Sequence, residues 1–395
     1  MNVNPDNAAN SIKPLTGITV ADFSLVMAGP FASRLLADMG ADVIKIEPIT
    51  GDDMRTRLPL RDGFSTYFGQ LNVGKRSIAV NLKTPEGLAV AREIAERADV
   101  VLENFRPGVM QRLGLDFETL SKVNPRLVYC AISGFGQTGP ASKNPAYAPV
   151  VHAASGFDLA NMSYQDNATK PGNTAIFMAD VLGGTYAFGA IQAALLQRAQ
   201  DGRGQMVDLS LMDCMLNMMI FECQEAQFPV NSPRHIYTPM KAADGFVIAA
   251  PLSQKNFDAM AQVIGNPDWT KDAKFATTAL RERHWHPMIH EIEKWTITRP
   301  ALECEQTFMA AGLPCSRYKT VAEAMDWEQT RHRATMRPVA DGAGAFNTTN
   351  PPFLMSRNPY DNPRVPSLGE QSRDILAQFM GAAEVDRLLA SGGVR

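Results

Sequence analysis

Residues 18–46, ITVADFSLVMAGPFASRLLADMGADVIKI, give the clearest indication of the fold that we expect of this chain. The apolar run Ile18–Phe23 predicts a first buried strand, and Pro30 predicts the start of a helix, since proline is tolerated in a first helical turn. Apolar residues then recur at helical spacing up to Gly40, which suits a C-terminal cap. The run Val43–Ile46 predicts a second strand, so this stretch predicts one strand–helix–strand unit.

The same alternation of strands and helices continues along the chain. Three further apolar runs predict strands, at Arg76–Leu82, Asp99–Glu103 and Leu127–Ile132. Such alternation implies a parallel sheet with helices on both faces, and right-handed crossovers make the sheet doubly wound. We therefore expect an α/β fold with a Rossmann-like sheet, whose ligands bind beyond the carboxyl ends of the strands.

Breaks in this pattern predict the domain limits. Residues 1–13 are expected to be a flexible tail, because they are polar and lack the hydrophobic core of a signal peptide. Residues 14–225 together with 331–395 are expected to form a large Rossmann-like domain. Residues 226–330 are expected to form a smaller α+β domain.

The composition argues against two classes of partner. With 395 residues and a formal net charge of −3, the chain has no long-range attraction for nucleic acid or an anionic membrane surface. No apolar run reaches membrane-spanning length, because charged residues interrupt each one. We therefore expect neither nucleic acid nor membrane among the partners.

Cysteine and histidine usage predicts a reduced protein without a metal. The five cysteines form no Cys-x-x-Cys pair, which favours reduced thiols and a cytoplasmic location. His286 and His290 have the i, i+4 spacing of metal ligands, but Pro287 lies between them and no acid follows at the position that a zinc protease needs. We expect no metal site there.

A glycine-rich motif follows the last of these predicted strands. Gly134-Phe-Gly136-Gln-Thr-Gly139 matches the pattern G-x-G-x-x-G of dinucleotide-binding proteins. Pro140 comes next, so no helix opens to receive a pyrophosphate, and no acid ends a strand about 20 residues later. We interpret the motif as a turn-rich loop that borders a site.

One acid lies in an apolar run, Asp180 within Ala175–Tyr186, and the pair Gly183 and Gly184 follows it. A long helix is predicted directly afterwards, at Thr185–Gln200. Asp180 is either the N-cap of that helix or a functional carboxylate beside glycines that let a substrate approach closely. The residues alone favour the cap, since capping is the commonest function of an aspartate before a helix.

Eight short motifs, taken in order, resemble the class III CoA-transferases, the family of formyl-CoA transferase and carnitine CoA-transferase. The resemblance runs from about residue 14 to the last predicted helix, and the series of motifs is more specific than any single motif. The motifs are Asp22-Phe23 with Ala28-Gly29-Pro30, Gly40 to Pro48, Gly51-Asp52 with Arg55, Asn72 to Ile78, Glu103 to Gly108, Ser133 to Gly136, Gly202 to Gln205 and Pro366 to Glu370.

The resemblance implies an acyl-CoA:carboxylate CoA-transferase with an aspartyl nucleophile. In the family the nucleophile is the aspartate before the paired glycines, which is Asp180 here. Attack on a thioester would form a mixed anhydride and then an aspartyl-CoA thioester. Coenzyme A and acyl-CoA would be substrates, no cofactor would be tightly bound, and a small carboxylate would be the acceptor. Members of the family form interlocked homodimers, so we expect an interlocked homodimer.

The resemblance also assigns residues to two sites. Basic residues are matched to the CoA nucleotide, and Met27 stands where some relatives carry a glutamine that can donate a hydrogen bond. The residues matched to CoA contacts are Val26, Met27, Lys75, Asn104, Phe105, Arg112 and Leu113. Tyr147, Gly136 and Gly183 are also predicted to belong to the substrate pocket, where backbone amides near Gly183 and in the Ser133–Gly136 loop are hypothesised to donate to the oxyanion.

Two other functions remain open at this point. The 2-methylacyl-CoA racemases share the expected fold and use a histidine shortly before a Ser-Gly pair. Here Ser155-Gly156 is present, but Tyr147 occupies the equivalent position and His152 is out of register. A phenol is a poor base near neutral pH. The chain could also bind CoA without catalysis, which would leave Asp180 as a helix cap.

The acid that exchanges CoA is not determined by these patterns. An apolar pocket would suit a simple acyl group, whereas a free arginine would suit a dicarboxylate such as succinate. Arg55 and Arg234 are the candidates for that arginine.

Overall fold

The computed structural model describes residues 12–165, 167–230, 237–357 and 363–395. The chain divides into two compact units, one with residues up to Ile220 together with His332–Arg395 and the other with Phe221–Arg331. Arg234 and most of the predicted tail lie outside the described residues, so the expectations for both stay predictions.

The first unit begins with alternating strands and helices, as the apolar periodicity predicts. A 3-10 turn, Asp53–Thr56, follows its second strand. The helices and strands before the second unit are β1 (Thr19–Asp22), α1 (Ala28–Asp38), β2 (Asp42–Glu47), β3 (Leu60–Arg61), β4 (Phe64–Ser65), α2 (Thr66–Asn72), β5 (Arg76–Ala79), α3 (Pro85–Arg97), β6 (Val100–Glu103), α4 (Val109–Leu113), α5 (Phe117–Leu120), β7 (Val128–Ser133), α6 (Ala148–Ala154), α7 (Phe157–Ser163), α8 (Met178–Asp201), β8 (Met206–Ser210) and α9 (Leu211–Met218).

Six strands of the first unit form one sheet in the order β5-β2-β1-β6-β7-β8. β1 pairs with both β2 and β6, so the sheet extends in both directions from the first strand. Every pairing in this sheet is parallel, and parallel neighbours need crossover connections such as the helices between them. The predicted α/β fold with a doubly wound, Rossmann-like sheet is confirmed.

Apolar cores lie on both faces of the sheet, because successive side chains of a strand point to opposite faces. Val20 of β1 belongs to one core, which includes residues of α1 and α8. Its neighbour Ala21 belongs to the other core, which includes residues of α3. Burial on both faces explains why β1 is apolar at consecutive positions.

The long helix α8 packs closely on its neighbours at two buried glycines. A Cβ atom added at Gly183 would lie 2.4 Å from Cδ2 of Leu211, and one added at Gly184 would lie 2.7 Å from the carbonyl oxygen of Ala28. Both distances are shorter than real Cβ contacts. The Ala28 carbonyl is backbone and cannot move aside, so position 184 needs glycine, whereas the end of the Leu211 side chain can shift away from position 183. Gly183 is buried at this helix contact, and its assignment to the substrate pocket stays a prediction.

α8 is also, within the described part of the chain, the one helix whose length and composition would allow it to cross a membrane. Its buried residues, among them Ala187, Ile191 and Leu195, belong to the core on one face of the sheet. Length and composition alone do not distinguish a core helix from a membrane span.

The second unit contains a small antiparallel sheet in the order β11-β10-β9, with helices around an apolar core of its own. Trp285, Phe257 and Phe308 are among its fully buried side chains. The helices and strands from the end of the first unit onward are α10 (Ile220–Glu225), β9 (Met240–Ala242), β10 (Gly245–Ala249), α11 (Gln254–Val263), α12 (Thr278–Arg283), α13 (Trp285–Thr296), α14 (Ala301–Ala310), β11 (Cys315–Arg317), α15 (Val321–Met325) and α16 (Glu328–His332).

The last part of the chain completes the first unit. The strands β12 (Met336–Asp341) and β13 (Gly344–Thr349) form an antiparallel hairpin that contacts α2. The helices α17 (Ser372–Leu376) and α18 (Ala382–Ser391) add apolar side chains to the core that includes α3. The beginning and the end of the chain therefore share one core.

Replacing Gly184 by alanine should lower the free energy of unfolding by about 1–3 kcal/mol, because the new methyl group would overlap the Ala28 carbonyl. Gly189→Ala, on the same helix, is the matched control, since no atom of the described residues lies within 4 Å of a Cβ atom added there. The control should leave stability unchanged or raise it by up to about 1 kcal/mol. Chemical denaturation measures both variants, and equal stabilities would contradict the packing role.

Candidate active site

A cavity of about 650 Å³ lies in the first unit, beside the loops that follow β1 and β2 and the start of α8. Loops after the strands of a doubly wound sheet are the usual place for ligands. The cavity lining is largely apolar and comes from five stretches of chain. Its residues are Val26, Met27, Asp53, Met54, Thr56, Arg57, Leu58, Tyr67, Tyr147, Ala148, Pro149, Phe177 and Asp180.

Asp180 brings a carboxylate to this cavity from the first turn of α8. Phe177 is the N-cap of that helix, so the interpretation of Asp180 as its N-cap is wrong. Burial raises the pKa of Asp180 to about 6, and no hydrogen bond or charge within the described chain offsets this effect. The carboxylate is therefore poorly solvated and uncommitted, as a reactive acid needs to be.

His152 caps the helix that carries Asp180. Its Nε2 accepts from the backbone N–H of Ala179 at 3.1 Å, which satisfies one of the unpaired amides at the start of α8. The ring is fully buried, and burial lowers its pKa, so His152 is neutral with its proton on Nδ1. His152 is not part of the cavity lining, and its acceptor nitrogen is already engaged.

Two tyrosines bring hydroxyl groups to the cavity. Tyr147, which is predicted to belong to the substrate pocket, is the N-cap of α6 and is 72% exposed. Tyr67 lies on α2 in no recognisable motif, so sequence patterns miss it. Its hydroxyl donates to Sδ of Met27 at 3.3 Å. Burial and the charge of Asp180 raise the pKa of Tyr67, which keeps it a protonated donor.

The loop between β1 and α1 forms one wall of the cavity through Val26 and Met27. Val26 has a φ of +67°, a left-handed conformation that β-branched residues rarely adopt. Asn104 supports the loop because its Oδ1 accepts from the Leu25 N–H at 2.8 Å and its Nδ2 donates to the Leu25 carbonyl at 2.7 Å. Asn104 thus supports the wall and is not itself a lining residue.

The structure does not bring Lys75 to the cavity. Its buried ammonium group donates to the Asp22 carboxylate at 3.0 Å, to the Pro30 carbonyl at 3.0 Å and to Oδ1 of Asn72 at 2.8 Å. These bonds use all three of its protons. The prediction that Lys75 contacts the CoA nucleotide is therefore corrected, because its charge compensates a buried acid.

Three other residues matched to CoA contacts also lie outside the cavity lining. Arg112 is exposed near the end of α4, where its charge is accessible to a ligand. Phe105 and Leu113 are partly buried and pack against the core that includes α3. Lys75 and Arg112 are the two basic residues predicted to contact the CoA nucleotide, and of these Arg112 is the exposed one.

Gly136 is buried in the loop after β7 and has a φ of +86°. The carboxylate of Asp208 fixes this loop by accepting from the Gln137 N–H at 3.0 Å. Gly136 is not part of the cavity lining, so the structure does not group it with Asp180.

Arginines near the cavity differ in their availability. Arg55 is committed to Glu47, with N···O distances of 2.8 and 2.6 Å, and also donates to the Pro366 carbonyl at 3.1 Å. Arg57 lines the cavity and is exposed. A guanidinium binds a carboxylate through two parallel hydrogen bonds, so Arg57 replaces Arg55 as the candidate for binding an acid.

Replacing Asp180 by asparagine should stabilise the fold at neutral pH. The pKa of about 6 in the folded protein lies above the ordinary value of 3.8, so ionisation reduces stability as the pH rises between these values. We expect a gain of about 1–3 kcal/mol at about pH 7.5 and none below about pH 4. Chemical denaturation at both pH values measures the difference, and an equal gain at both would contradict the burial of the charge.

Comparisons with known proteins identify the family. A family model described as CoA-transferase family III matches residues 15–372. The chain is 34% identical over 380 residues to acetyl-CoA:oxalate CoA-transferase of Acetobacter aceti, which covers 93% of this chain and 96% of that protein. It is 34% identical over 393 residues to succinate–glutarate CoA-transferase of Agrobacterium fabrum, with 94% and 96% covered. It is 32% identical over 390 residues to succinyl-CoA–D-citramalate CoA-transferase of Chloroflexus aurantiacus, with 95% and 96% covered.

A solved structure has the same fold. A CAIB/BAIF family protein from Brucella suis matches with a TM-score of 0.83 and 30% sequence identity, over 93% of this chain and 100% of that chain. The family model covers nearly the whole chain, as the series of motifs predicts. The chain belongs to CoA-transferase family III.

Proposed function

We propose that this protein moves CoA from an acyl-CoA to a small organic carboxylate through a covalent intermediate on Asp180. The observation that carries the proposal is the Asp180 carboxylate, which lines an apolar cavity and has no described counter-charge. Membership in CoA-transferase family III supports a transferase reaction. A carboxylate that burial partly shields from water and that no described cation neutralises keeps its nucleophilicity.

The proposed reaction consists of two halves that share their intermediates. An oxygen of Asp180 attacks the thioester carbonyl of the acyl-CoA, the carbon–sulfur bond breaks and CoA leaves as a thiolate, which gives a mixed anhydride. The thiolate then attacks the Asp180 carbonyl carbon, releases the donor acid and leaves an Asp180–CoA thioester. An acceptor carboxylate attacks that thioester, and the same steps run in reverse without net consumption of protons or electrons.

The cavity walls support this chemistry in two ways. Anhydrides hydrolyse, so an apolar lining with Val26, Met54 and Phe177 favours transfer over hydrolysis. The Tyr67 hydroxyl now donates to Sδ of Met27, a weak acceptor, and can turn to donate to an oxygen that becomes negative during attack. Coenzyme A enters as part of the substrate, with Arg112 accessible to a phosphate, and the proposal needs no tightly bound cofactor.

We also propose that the protein acts as a cytoplasmic homodimer, interlocked as the resemblance implies. The first unit exposes large apolar side chains on α8 and α9, including Tyr186, Leu196 and Leu216. A hydrogen bond from the Tyr186 hydroxyl to Oδ1 of Asn217 joins α8 to α9 at this surface, and exposed apolar patches commonly mark surfaces that a partner covers. The cysteine pattern supports a reducing compartment, and the net charge of −3 supports the absence of nucleic-acid and membrane partners.

The environment of His152 and the start of α8 favour this proposal over a racemase and over binding of CoA without catalysis. A racemase needs a base that shares the site with Asp180, but His152 is buried with its acceptor nitrogen bonded to Ala179. Tyr147 is a poor base near neutral pH. Binding without catalysis would require Asp180 to be a helix cap, whereas Phe177 is the N-cap.

A dicarboxylate is the acid that we propose for this site. Oxalate, glutarate and citramalate, the acids in the names of the three relatives, each carry two carboxylates. One carboxylate would react at Asp180, and the other would pair with Arg57 in the same cavity.

Incubating the protein with a panel of acyl-CoAs, followed by acid quenching and peptide mass mapping, should show a CoA or acyl adduct on the Asp180 peptide. Asp180→Asn should abolish the adduct and lower the transfer rate about 1,000-fold or more, because an amide is a poor nucleophile. Asp53→Asn, at another acid of the same cavity lining, is the control and should keep the adduct. Deuterium incorporation at the α-carbon without an adduct would instead support a racemase.

Arg57→Ala should raise KM for succinate or glutarate about 10- to 100-fold, because the second carboxylate loses a charge-assisted hydrogen-bond pair. The KM for acetate, which has one carboxylate, should change less than about threefold. Arg57→Lys keeps the charge and should recover part of the loss. Steady-state transfer kinetics with each acid measure these values, and an equal rise for acetate and succinate would rule out the proposed pairing.

A further inference from the structure

A strained residue forms part of the cavity wall. Val26 has a φ of +67°, where the side chain of any residue other than glycine comes close to backbone atoms. Such a conformation persists only where surrounding contacts over-determine it. Val26 and Met27 line the cavity that contains Asp180, so the contacts that hold Val26 also determine the shape of this wall.

Asp52 makes the side-chain contact to Val26. The two oxygens of its carboxylate lie 3.4 and 3.3 Å from the Val26 amide nitrogen, which donates to them. The Met54 N–H donates to Oδ1 of the same carboxylate at 3.0 Å. Asp52 is 2% exposed, so a buried negative charge joins the loop after β1 to the loop after β2.

Lys45 holds Asp52 from strand β2. Its fully buried ammonium group lies 3.1 Å from Oδ2 of Asp52 and donates to the Ser24 carbonyl at 2.9 Å. Glu47 accepts from the Asp52 N–H at 3.1 Å. Lys45 therefore binds both the acid and the loop residue two positions before Val26.

Capping of a short turn does not explain this arrangement. Asp52 is the N-cap of the 3-10 turn Asp53–Thr56 and accepts from the Met54 N–H. A serine or asparagine could fill that role without a charge. A buried pair of Asp52 and Lys45 carries a large desolvation penalty, which points to a further role for the pair.

We infer that Asp52 is a positioning residue for the CoA transfer proposed above. Lys45 fixes the Asp52 carboxylate, the carboxylate binds the Val26 amide, and this contact keeps Val26 left-handed in the cavity wall. The predicted effect of Asp52 on the rate of CoA transfer rests on the proposed function, whereas its effect on the backbone conformation of Val26 does not. Without the carboxylate, Val26 relaxes toward a negative φ and the wall changes shape.

A double-mutant cycle tests this inference, because glycine adopts a φ of this kind without strain. The proteins are wild type, Asp52→Asn, Val26→Gly and the double variant. In the presence of Val26, Asp52→Asn should lower kcat/KM for transfer at least about 30-fold, because the wall relaxes. In the Val26→Gly background the same change should lower kcat/KM less than about fivefold, because the loop reaches its conformation without the carboxylate.

Equal losses of kcat/KM in the two backgrounds would overturn the inference, because Asp52 would then act only by compensating Lys45. Asp38→Asn is the matched control for loss of a buried acid. Asp38 pairs with Arg34 and Arg337, and no hydrogen bond within the described chain joins it to the Val26 loop. Its effect on kcat/KM should be the same with and without Val26→Gly.

Thermal unfolding of the same four proteins separates this inference from the proposed function. Val26→Gly should shift Tm upward more in the wild-type protein than in the Asp52→Asn protein, where Val26 has already relaxed. Additive Tm shifts would overturn the inference even in an active enzyme. If the two Tm shifts are not additive but the protein transfers CoA from no donor, the result would support stabilisation of the left-handed Val26 by Asp52. It would at the same time overturn the proposed function.

Discussion

The cavity wall is held in place by buried acids and lysines on and after the first two strands, which neutralise one another. Asp22, Lys45, Asp52 and Lys75 are all buried. Burial alone would raise the pKa of Asp22, but Lys75 and Lys45 outweigh it and hold that pKa below its ordinary value. Removing any one partner would leave a buried charge uncompensated, which is strongly destabilising. These four side chains therefore fix the loops that follow β1 and β2.

Asp180, in the same unit, is an acid whose charge no described cation compensates. Burial raises its pKa to about 6, and no described cation offsets that effect. An uncompensated acid lowers stability, and functional sites are where proteins commonly retain such groups. Gly183 and Gly184 let α8 pack closely within the fold, and His152 caps the amide of Ala179. Packing and capping thus position the helix while the carboxylate stays uncommitted.

Part of the site was predictable from the sequence, and part was not. The resemblance grouped Asp180 with Val26, Met27 and Tyr147, and all four line one cavity. It also assigned Lys75 to a ligand, although this lysine binds Asp22, 53 positions away in the chain. The sequence shows that a lysine is present but does not show whether a ligand or a buried acid neutralises its charge.

Apolar periodicity and the positions of glycine and proline act over a few residues, so they were enough to predict the alternation of strands and helices and the doubly wound sheet. The folded chain was needed to show that Gly183 packs against Leu211, and that Tyr67 and Arg57 share a cavity with Asp180. Burial and ion pairing join residues that are far apart in the chain. No local pattern records those contacts, so they become visible only once the chain is folded.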